Sequence, residues 1–362
     1  MSELKAQELF KSYTPFKEKD PFNDNIVEGF LSNEPTWKYG ALYITHVNGE
    51  LNEQFIAGVP KINYPFDRNG VFKFSPANYI EMFTKLDGTS VLMYEYKLGD
   101  KKFISYKVRQ RPFIQNSKFG DFLDMWLEIL DRYKQIPSLI KGYEYNVAFE
   151  LYGSRNKHTI LYEAPLDTAV LFGVTNNGKI LSPTKLDLHG LKPAFLVKTI
   201  SSNFVETYKD QQETLDKKLK KVEEDLIGDE GQVWYLHSES TLMIKLKPHQ
   251  IEDIHWKGGL SKLTIKNTCQ NVFESNDELN WVTLYPLLRE EWSEIDILVN
   301  EKLIIKCIDE VNIEVTFKQE VIDKYKKFGK DINIYKNEVM KHLSQYFDKK
   351  LMKKVYNLIV NE

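Results

Sequence analysis

Apolar residues in the first 250 or so positions gather in short runs rather than long stripes. The runs at 40–47 (GALYITHV), 90–96 (SVLMYEY) and 102–108 (KFISYKV) are rich in β-branched and aromatic residues. Such residues suit a pleated, half-buried surface, so strands are predicted between about residues 35 and 110. Leu98-Gly99-Asp100 separates the last two runs and predicts a hairpin turn. Similar runs at 146–153, 158–163, 168–174, 232–238 and 242–248 predict further strands.

Helical spacing interrupts this pattern twice. Phe119, Phe122, Trp126, Ile129, Leu130 and Tyr133 predict a helix that Ser117 opens and Pro137 closes. A second helix is predicted from Asn203, with Glu206 placed for a capping box. Its stripe is Leu215, Leu219, Val222 and Leu226, and Gly228 ends it. The stripe is too short to argue a coiled coil. After about residue 260 helical spacing dominates. This change of texture sets a domain boundary near residues 255–265, with domains at 1–260 and 261–362.

Composition narrows the class. The chain of 362 residues is 42% hydrophobic and 28% charged, which excludes disordered and collagen-like chains. A net charge of −3 excludes a chain basic overall, but not a locally basic groove. Cys269 and Cys307 are too few for a disulfide framework or a structural zinc site. The seven histidines show no ligand spacing, and His249 and His255 read as ordinary. No apolar run reaches bilayer length and the first residues are polar, so a soluble, cytoplasmic protein with no membrane partner is expected. From Lys318 to Glu362, eleven lysines face six acidic residues, a net +5. A solvated face is the first reading of that excess. The interleaved Tyr325, Phe328, Tyr335, Tyr346, Phe347 and Tyr356 keep single-strand binding open as the second.

The candidate chemistry lies in an ordered set of polar residues. Lys85-Leu86-Asp87-Gly88 stands just before a predicted strand. Alone it reads as a turn, because Asp-Gly favours tight turns. Lys107 and Arg109 follow, alternating onto one face of the hairpin's second strand. Glu150 lies inside an apolar run, where a carboxylate is expensive to bury without a partner. Glu230-Gly231-Gln232-Val233 begins a strand, and Lys245-Leu246-Lys247 closes the set with both ammonium groups on one face.

Together these segments resemble the covalent nucleotidyltransferase superfamily of ATP-dependent ligases and capping enzymes, over about residues 40–250. Lys85-Leu86-Asp87-Gly88 matches its motif I, and the Lys107/Arg109 segment matches the basic strand after it. Phe149-Glu150 matches motif III, and the strand at 169–174 resembles motif IIIa. Glu230-Gly231-x-Val233 matches motif IV and Lys245-x-Lys247 motif V. The helical C-terminal region, in place of an OB-fold, is similar to phage-type RNA ligases of the RNA ligase 1 family. Gly58-Val59-Pro60-Lys61-Ile62 is more like a thermophilic family of dimeric RNA ligases. Those families often carry an arginine before that glycine, where this chain has Ala57.

The resemblance implies an α+β adenylation domain built on two antiparallel sheets, then a mainly helical domain. It also implies an RNA ligase that joins 5′-phosphate and 3′-hydroxyl ends with ATP and Mg²⁺ or Mn²⁺. Lys85 would be the nucleophile, and Lys245 or Lys247 would stabilise charge on the α-phosphate. Nearby cations would help Lys85 lose its proton. Glu230 would hold the metal and Glu150 would accept a ribose hydroxyl. Gly88, Lys107 and Arg109 would line the nucleotide site, and Asp87 would shape the turn. Phe172 either stacks on adenine or is a core aromatic. The rivals are a DNA ligase, a GTP-using capping enzyme, or an inactive relative that only binds RNA ends. Monomer and homodimer both remain open, as does a viral or phage source.

Overall fold

The computed structural model describes residues 2–66, 71–117, 120–140, 145–222, 225–251, 260–275 and 278–360. It is an α+β domain of antiparallel sheets with flanking helices, followed by a mainly helical C-terminal region. Two compact units emerge: Met1–Asn116 with Asp121–Gly259, and Ser117–Gly120 with Leu260–Glu362. Part of the expected 255–265 boundary, His255 included, lies outside the described residues. No helix among the described residues is long and apolar enough to cross a membrane.

The first unit opens with α1 (Ser2–Leu9) and a meander of β1 (Tyr13–Lys19), β2 (Ile26–Ser32), β3 (Leu42–Val47) and β4 (Glu50–Ile56). Then come β5 (Tyr79–Lys85), β6 (Thr89–Leu98), β7 (Lys101–Lys107), α2 (Phe122–Arg132), β8 (Asn146–Tyr152), β9 (Asp167–Val174) and β10 (Ile180–Leu181). The unit continues through β11 (Leu196–Ile200), α3 (Phe204–Lys218), β12 (Lys220–Val222), β13 (Asp225–Ile227), β14 (Gly231–His237) and β15 (Thr241–Leu246). One sheet has the order β10-β9-β8-β6-β7 and another the order β11-β5-β14-β15. β12 and β13 form a small hairpin of their own.

Strand alternation builds the layers. Along β5, Ile80 and Met82 join Trp234, Leu236, Ile244 and Leu246 in a cluster with Tyr208 and Leu215 of α3. The opposite face sends Phe83, Val233 and Tyr235 into a cluster with Leu92, Ala148, Phe172 and Val174 of the five-stranded sheet. The two sheets therefore share one apolar core, and α3 covers the outer face of the smaller. Across the five-stranded sheet, Trp126 of α2 meets Phe149 edge-on at 5.5 Å. The meander packs through Val27, Leu42 and Ile44 against Tyr94, Tyr96 and Phe113. Gly99, with φ +57°, supplies the left-handed turn residue between β6 and β7.

Several local expectations need correction. α2 begins at Phe122, not Ser117; Phe119 lies outside the described residues. The Asn116 side-chain oxygen accepts the Leu123 and Asp124 N–H groups, which sets the start. Pro137 does not close α2 but sits inside a later 3₁₀ turn, Ile136–Leu139. Residues 158–163 form no strand beyond an isolated bridge at Ile160, because the Thr159 and Ile160 amides are spent on the Asp87 carboxylate. The second helix ends at Lys218 rather than Gly228, and Asn203 makes no side-chain cap. Leu219 instead buries with Ile160 and Ile251, with Leu226 beside them, which breaks the helical stripe.

The second unit contains α4 (Lys262–Ser275), α5 (Trp281–Glu291), α6 (Glu294–Val299), α7 (Glu301–Phe328), α8 (Ile332–Leu343) and α9 (Met352–Val360). Asn280 and Ser293 form capping boxes with Thr283 and Asp296. One core gathers around Ile265, Leu284 and Ile304, and a second around Val321, Ile332, Val339 and Val355.

Candidate active site

The register of the smaller sheet assembles the charged centre. Lys85, the last residue of β5, pairs with Gly231 of β14, and Val233 pairs with Lys245 of β15. Lys85 thus shares its strand face with Phe83, while Lys245 and Lys247 share theirs with Met243. Phe83, Val233 and Met243 all turn to the inter-sheet core. A Cβ at Gly231 would fall 2.1 Å from the Leu246 carbonyl oxygen, so the close strand approach requires glycine there.

Glu230 stands one residue before β14 and its side chain is only 5% exposed. A carboxylate this buried needs compensating charge. Its Oε2 accepts from Lys85 Nζ, and its Oε1 pairs with Lys247 Nζ at 2.7 Å. Burial alone would raise its pKa, but Lys247 and then Lys85 outweigh burial and hold it at about 2. The carboxylate is therefore ionised at neutral pH and bridges two ammonium groups. Lys245 takes a different position, with its ammonium 4.5 Å from the Tyr64 ring centroid.

The turn after Lys85 is pinned from three sides. Asp87 Oδ2 accepts the Thr159 and Ile160 amides at 2.5 and 2.6 Å. The Asp87 amide donates to the Tyr162 hydroxyl at 2.8 Å. The Gly88 amide donates to Glu150 Oε1 at 3.0 Å, and a Cβ at Gly88 would fall 2.1 Å from the Leu151 carbonyl oxygen. Burial, with repulsion from Glu230 behind it, raises the Asp87 pKa. Glu150 and Asp87 therefore both grip the loop that presents Lys85.

The remaining predicted residues lie in other surroundings. Lys107 is fully buried and donates to the carbonyl oxygens of Val108 and Arg109 at 2.8 and 3.2 Å. Burial, followed by repulsion from Arg109, lowers its pKa to about 7. The Arg109 guanidinium lies over the Tyr39 ring at 5.1 Å, and the Val59 amide donates to the Tyr39 carbonyl oxygen. β7 ends at Lys107, so Arg109 sits in the turn beyond it rather than on one strand face with Lys107, and this turn meets the segment around Gly58 at Tyr39. Ala57 is buried, its amide donating to Asn176 Oδ1 at 3.1 Å. Phe172 is 1% exposed in the core between the sheets.

Tyr162 and Tyr64 carried no signal in the sequence. Tyr162 falls in the strand-like segment 158–163, and Tyr64 in a stretch with no hydrophobic pattern. Glu81 was likewise hidden in the apolar β5. Its carboxylate accepts from Ser182 and Thr184 at 2.7 and 2.8 Å and meets His237 Nε2 at 2.7 Å.

No protein-family model matches the chain, and no curated protein matches it. Among solved structures it is similar to an archaeal ATP-dependent RNA ligase, at 14% identity over 98% of this chain and 94% of the other, with a TM-score of 0.48. It is also similar to a putative ATP-dependent DNA ligase from Aquifex aeolicus, at 15% identity over 96% and 88% with a TM-score of 0.44. A Naegleria gruberi RNA ligase, in a structure with pyrophosphate, matches at 14% identity over 49% and 52% with a TM-score of 0.36.

Proposed function

We propose that the chain is an ATP-dependent RNA ligase acting through a lysyl-AMP intermediate. The observation that carries this reading is the Lys85–Glu230–Lys247 bridge at the mouth of a pinned Lys-x-Asp-Gly turn. Lys85 and Lys247 place two cations on the one Glu230 carboxylate, and Lys245 adds a third on the same strand end. The cluster is thus suited to an anion as dense as a triphosphate.

In the first step the unprotonated Lys85 amine attacks the α-phosphorus of ATP. A P–N bond forms, the bond to the β-phosphate oxygen breaks, and pyrophosphate leaves. An RNA 5′-phosphate oxygen then attacks the same phosphorus, breaking the P–N bond and freeing Lys85. Finally an RNA 3′-hydroxyl attacks the 5′-phosphorus and expels AMP. Lys247, with Lys245 beside it, stabilises charge developing on the α-phosphate in the first two steps. Glu150 and Gly88 hold the turn beside the nucleotide, and Glu150 receives a ribose hydroxyl. Arg109 sets a cation over Tyr39, and Lys107 braces the backbone beneath it through the Val108 and Arg109 carbonyl oxygens.

Glu230 is assigned as the single carboxylate for Mg²⁺ or Mn²⁺. Among the described residues no group of three or more His, Cys, Asp or Glu side chains is placed to hold a metal ion. One carboxylate still fits Mg²⁺, which usually keeps several waters and borrows phosphate oxygens. When bound, the ion would neutralise phosphate charge.

The test is incubation with radiolabelled ATP or GTP, followed by denaturing electrophoresis. Acid-labile label from ATP, lost in Lys85→Ala, and joining of RNA but not DNA ends support the reading. Label from GTP alone indicates a capping enzyme, label from ATP with joining of DNA ends only indicates a DNA ligase, and no label indicates a binder of RNA ends.

A further inference from the structure

The C-terminal unit carries a surface that the chemistry above leaves unused. Gly329 ends α7 with φ +70°, its amide donating to the Tyr325 carbonyl oxygen at 3.3 Å. α8 starts shortly after and runs back beside it. Phe328 stacks on His342 of α8, with centroids 4.2 Å apart and planes 14° apart. His342 meets Tyr346 at 5.2 Å in an edge contact. Lys324 lies 4.6 Å from the Tyr346 ring, and Lys330 lies 5.9 Å from Phe328 and 5.0 Å from Tyr335. α8 departs from helical dihedrals at Tyr335 itself (φ −116°, ψ 37°). These six side chains form one connected strip of rings and cations.

Phe328 anchors the strip to the core of Val321, Ile332, Val339 and Leu343, but neither Tyr335 nor Tyr346 belongs to that core. Tyr335 is 44% exposed and Tyr346 50% exposed. The surrounding sequence, residues 318–362, carries a net +5. Glu338 reaches the strip, where it pairs with Lys330. A polyanion with flat, unpaired faces matches both features: bases stack on rings and phosphates meet ammonium groups. A duplex hides its base faces and matches only the charge.

We propose that this strip binds a single-stranded polynucleotide, with bases on Tyr346 and Tyr335 and phosphates at Lys324 and Lys330. The proposal deepens the ligase reading, on which it rests for biological meaning, by naming a second contact for the strand being joined.

The test uses the full-length protein and fluorescent oligonucleotides in three arms: single-stranded RNA, single-stranded DNA of the same sequence, and duplex RNA. The Tyr335→Ala/Tyr346→Ala protein should bind single strands at least about tenfold more weakly, since each stacked base contributes roughly 1–3 kcal/mol. Tyr335→Phe/Tyr346→Phe keeps the rings and should restore most of the affinity. Lys324→Gln/Lys330→Gln should flatten the dependence of log K on log salt by about 1.4, at roughly 0.7 for each single-strand phosphate contact. The RNA and DNA arms tell whether the sugar is read. Single-strand affinity within twofold of the parent in the double alanine protein overturns the proposal. So does an equal loss for duplex, or a change of oligomeric state with RNA affinity unchanged. Lys85→Met separates the two readings: it ends covalent labelling, and the ring-dependent part of the affinity stays.

Discussion

Glu81 and Glu230 lie at opposite ends of the paired β5 and β14, and both are nearly buried, at 9% and 5% side-chain exposure. Their partners differ in kind. Glu81 accepts from the hydroxyls of Ser182 and Thr184 and meets His237, all on short side chains. Burial works against its charge, but Ser182, Thr184 and His237 together bring its pKa below the usual carboxylate value. Glu230 is satisfied by two lysines whose side chains are 24% and 13% exposed. Short partners fixed by the fold cannot leave without loosening it. Long lysine stems can turn from a carboxylate to a phosphate at little conformational expense. One sheet thus contains a sealed polar cluster that holds strands together and an open one that can exchange its partners.

The largest expected effect is at the open end. Lys85→Ala should remove covalent labelling from ATP completely, while joining of pre-adenylylated RNA survives in part, because that step does not need the amine. Label appearing on another residue would break the assignment of the open cluster as the site.

Glu230→Gln should come next, with labelling reduced by roughly two orders of magnitude, in the range seen when one electrostatic group is removed from a site. Its divalent-ion titration should change as well, and an unchanged titration would move the metal elsewhere. The pH dependence has a definite sign. The folded pKa of about 2 lies below the ordinary 4.5, so the paired carboxylate contributes stability that is fully present above about pH 4.5. That contribution fades as the pH falls towards 2. The stability gap between parent and Glu230→Gln, followed by urea unfolding, should therefore be widest near neutrality and close in acid. A gap independent of pH would mean that the lysines do not hold the charge.

Much of the open cluster was legible in sequence because its elements are local. Lys85, Asp87 and Gly88 sit within four positions, and Lys245 and Lys247 within three, so spacing alone brought each group together, although Lys85 closes β5 and Lys247 falls one residue past β15. The strands themselves were legible for a similar reason: β6, β7, β8, β9, β14 and β15 each carry their own β-branched and aromatic signature. What failed was set by distant partners. Residues 158–163 have a strand-like pattern, yet the Asp87 carboxylate, more than 70 positions away, takes two of their amides. The apolar spacing of α3 continues in sequence to Leu226, but Leu219 turns away to pack against Ile160 and Ile251. Glu81 and Tyr162 were invisible because their roles depend wholly on which strands become neighbours. The division of labour between Lys245 and Lys247 was equally hidden, since the sequence gives no means to place Tyr64.

A smaller effect is expected at the sealed end. Glu81→Gln keeps shape but weakens three hydrogen bonds to a charged acceptor, so stability should fall by about 1–3 kcal/mol. Labelling from ATP, measured well below the melting transition, should stay within a few-fold of the parent. A loss of labelling as deep as that of Glu230→Gln would erase the distinction between the two clusters.

The smallest effect concerns Lys245, the cation of the open cluster that rests over a ring. The Lys245 and Tyr64 side chains should be coupled, but weakly. A cation–π contact contributes about 0.5–1 kcal/mol at exposed sites and up to about 2 kcal/mol when shielded from water. A double-mutant cycle with Lys245→Met and Tyr64→Leu, read by urea unfolding, should return a coupling in that range. Other contacts of either side chain cancel in the cycle, so the coupling reports the pair itself. Lys247→Met should behave differently. It strips Glu230 of one of its two counter-charges, so stability should fall further than in Lys245→Met, and the added loss should fade below pH 4.5 as Glu230 takes up a proton. Equal, pH-independent losses in the two lysine variants would show that Lys245 and Lys247 share one role, and the contrast between ring-held and carboxylate-held cations would have to be abandoned.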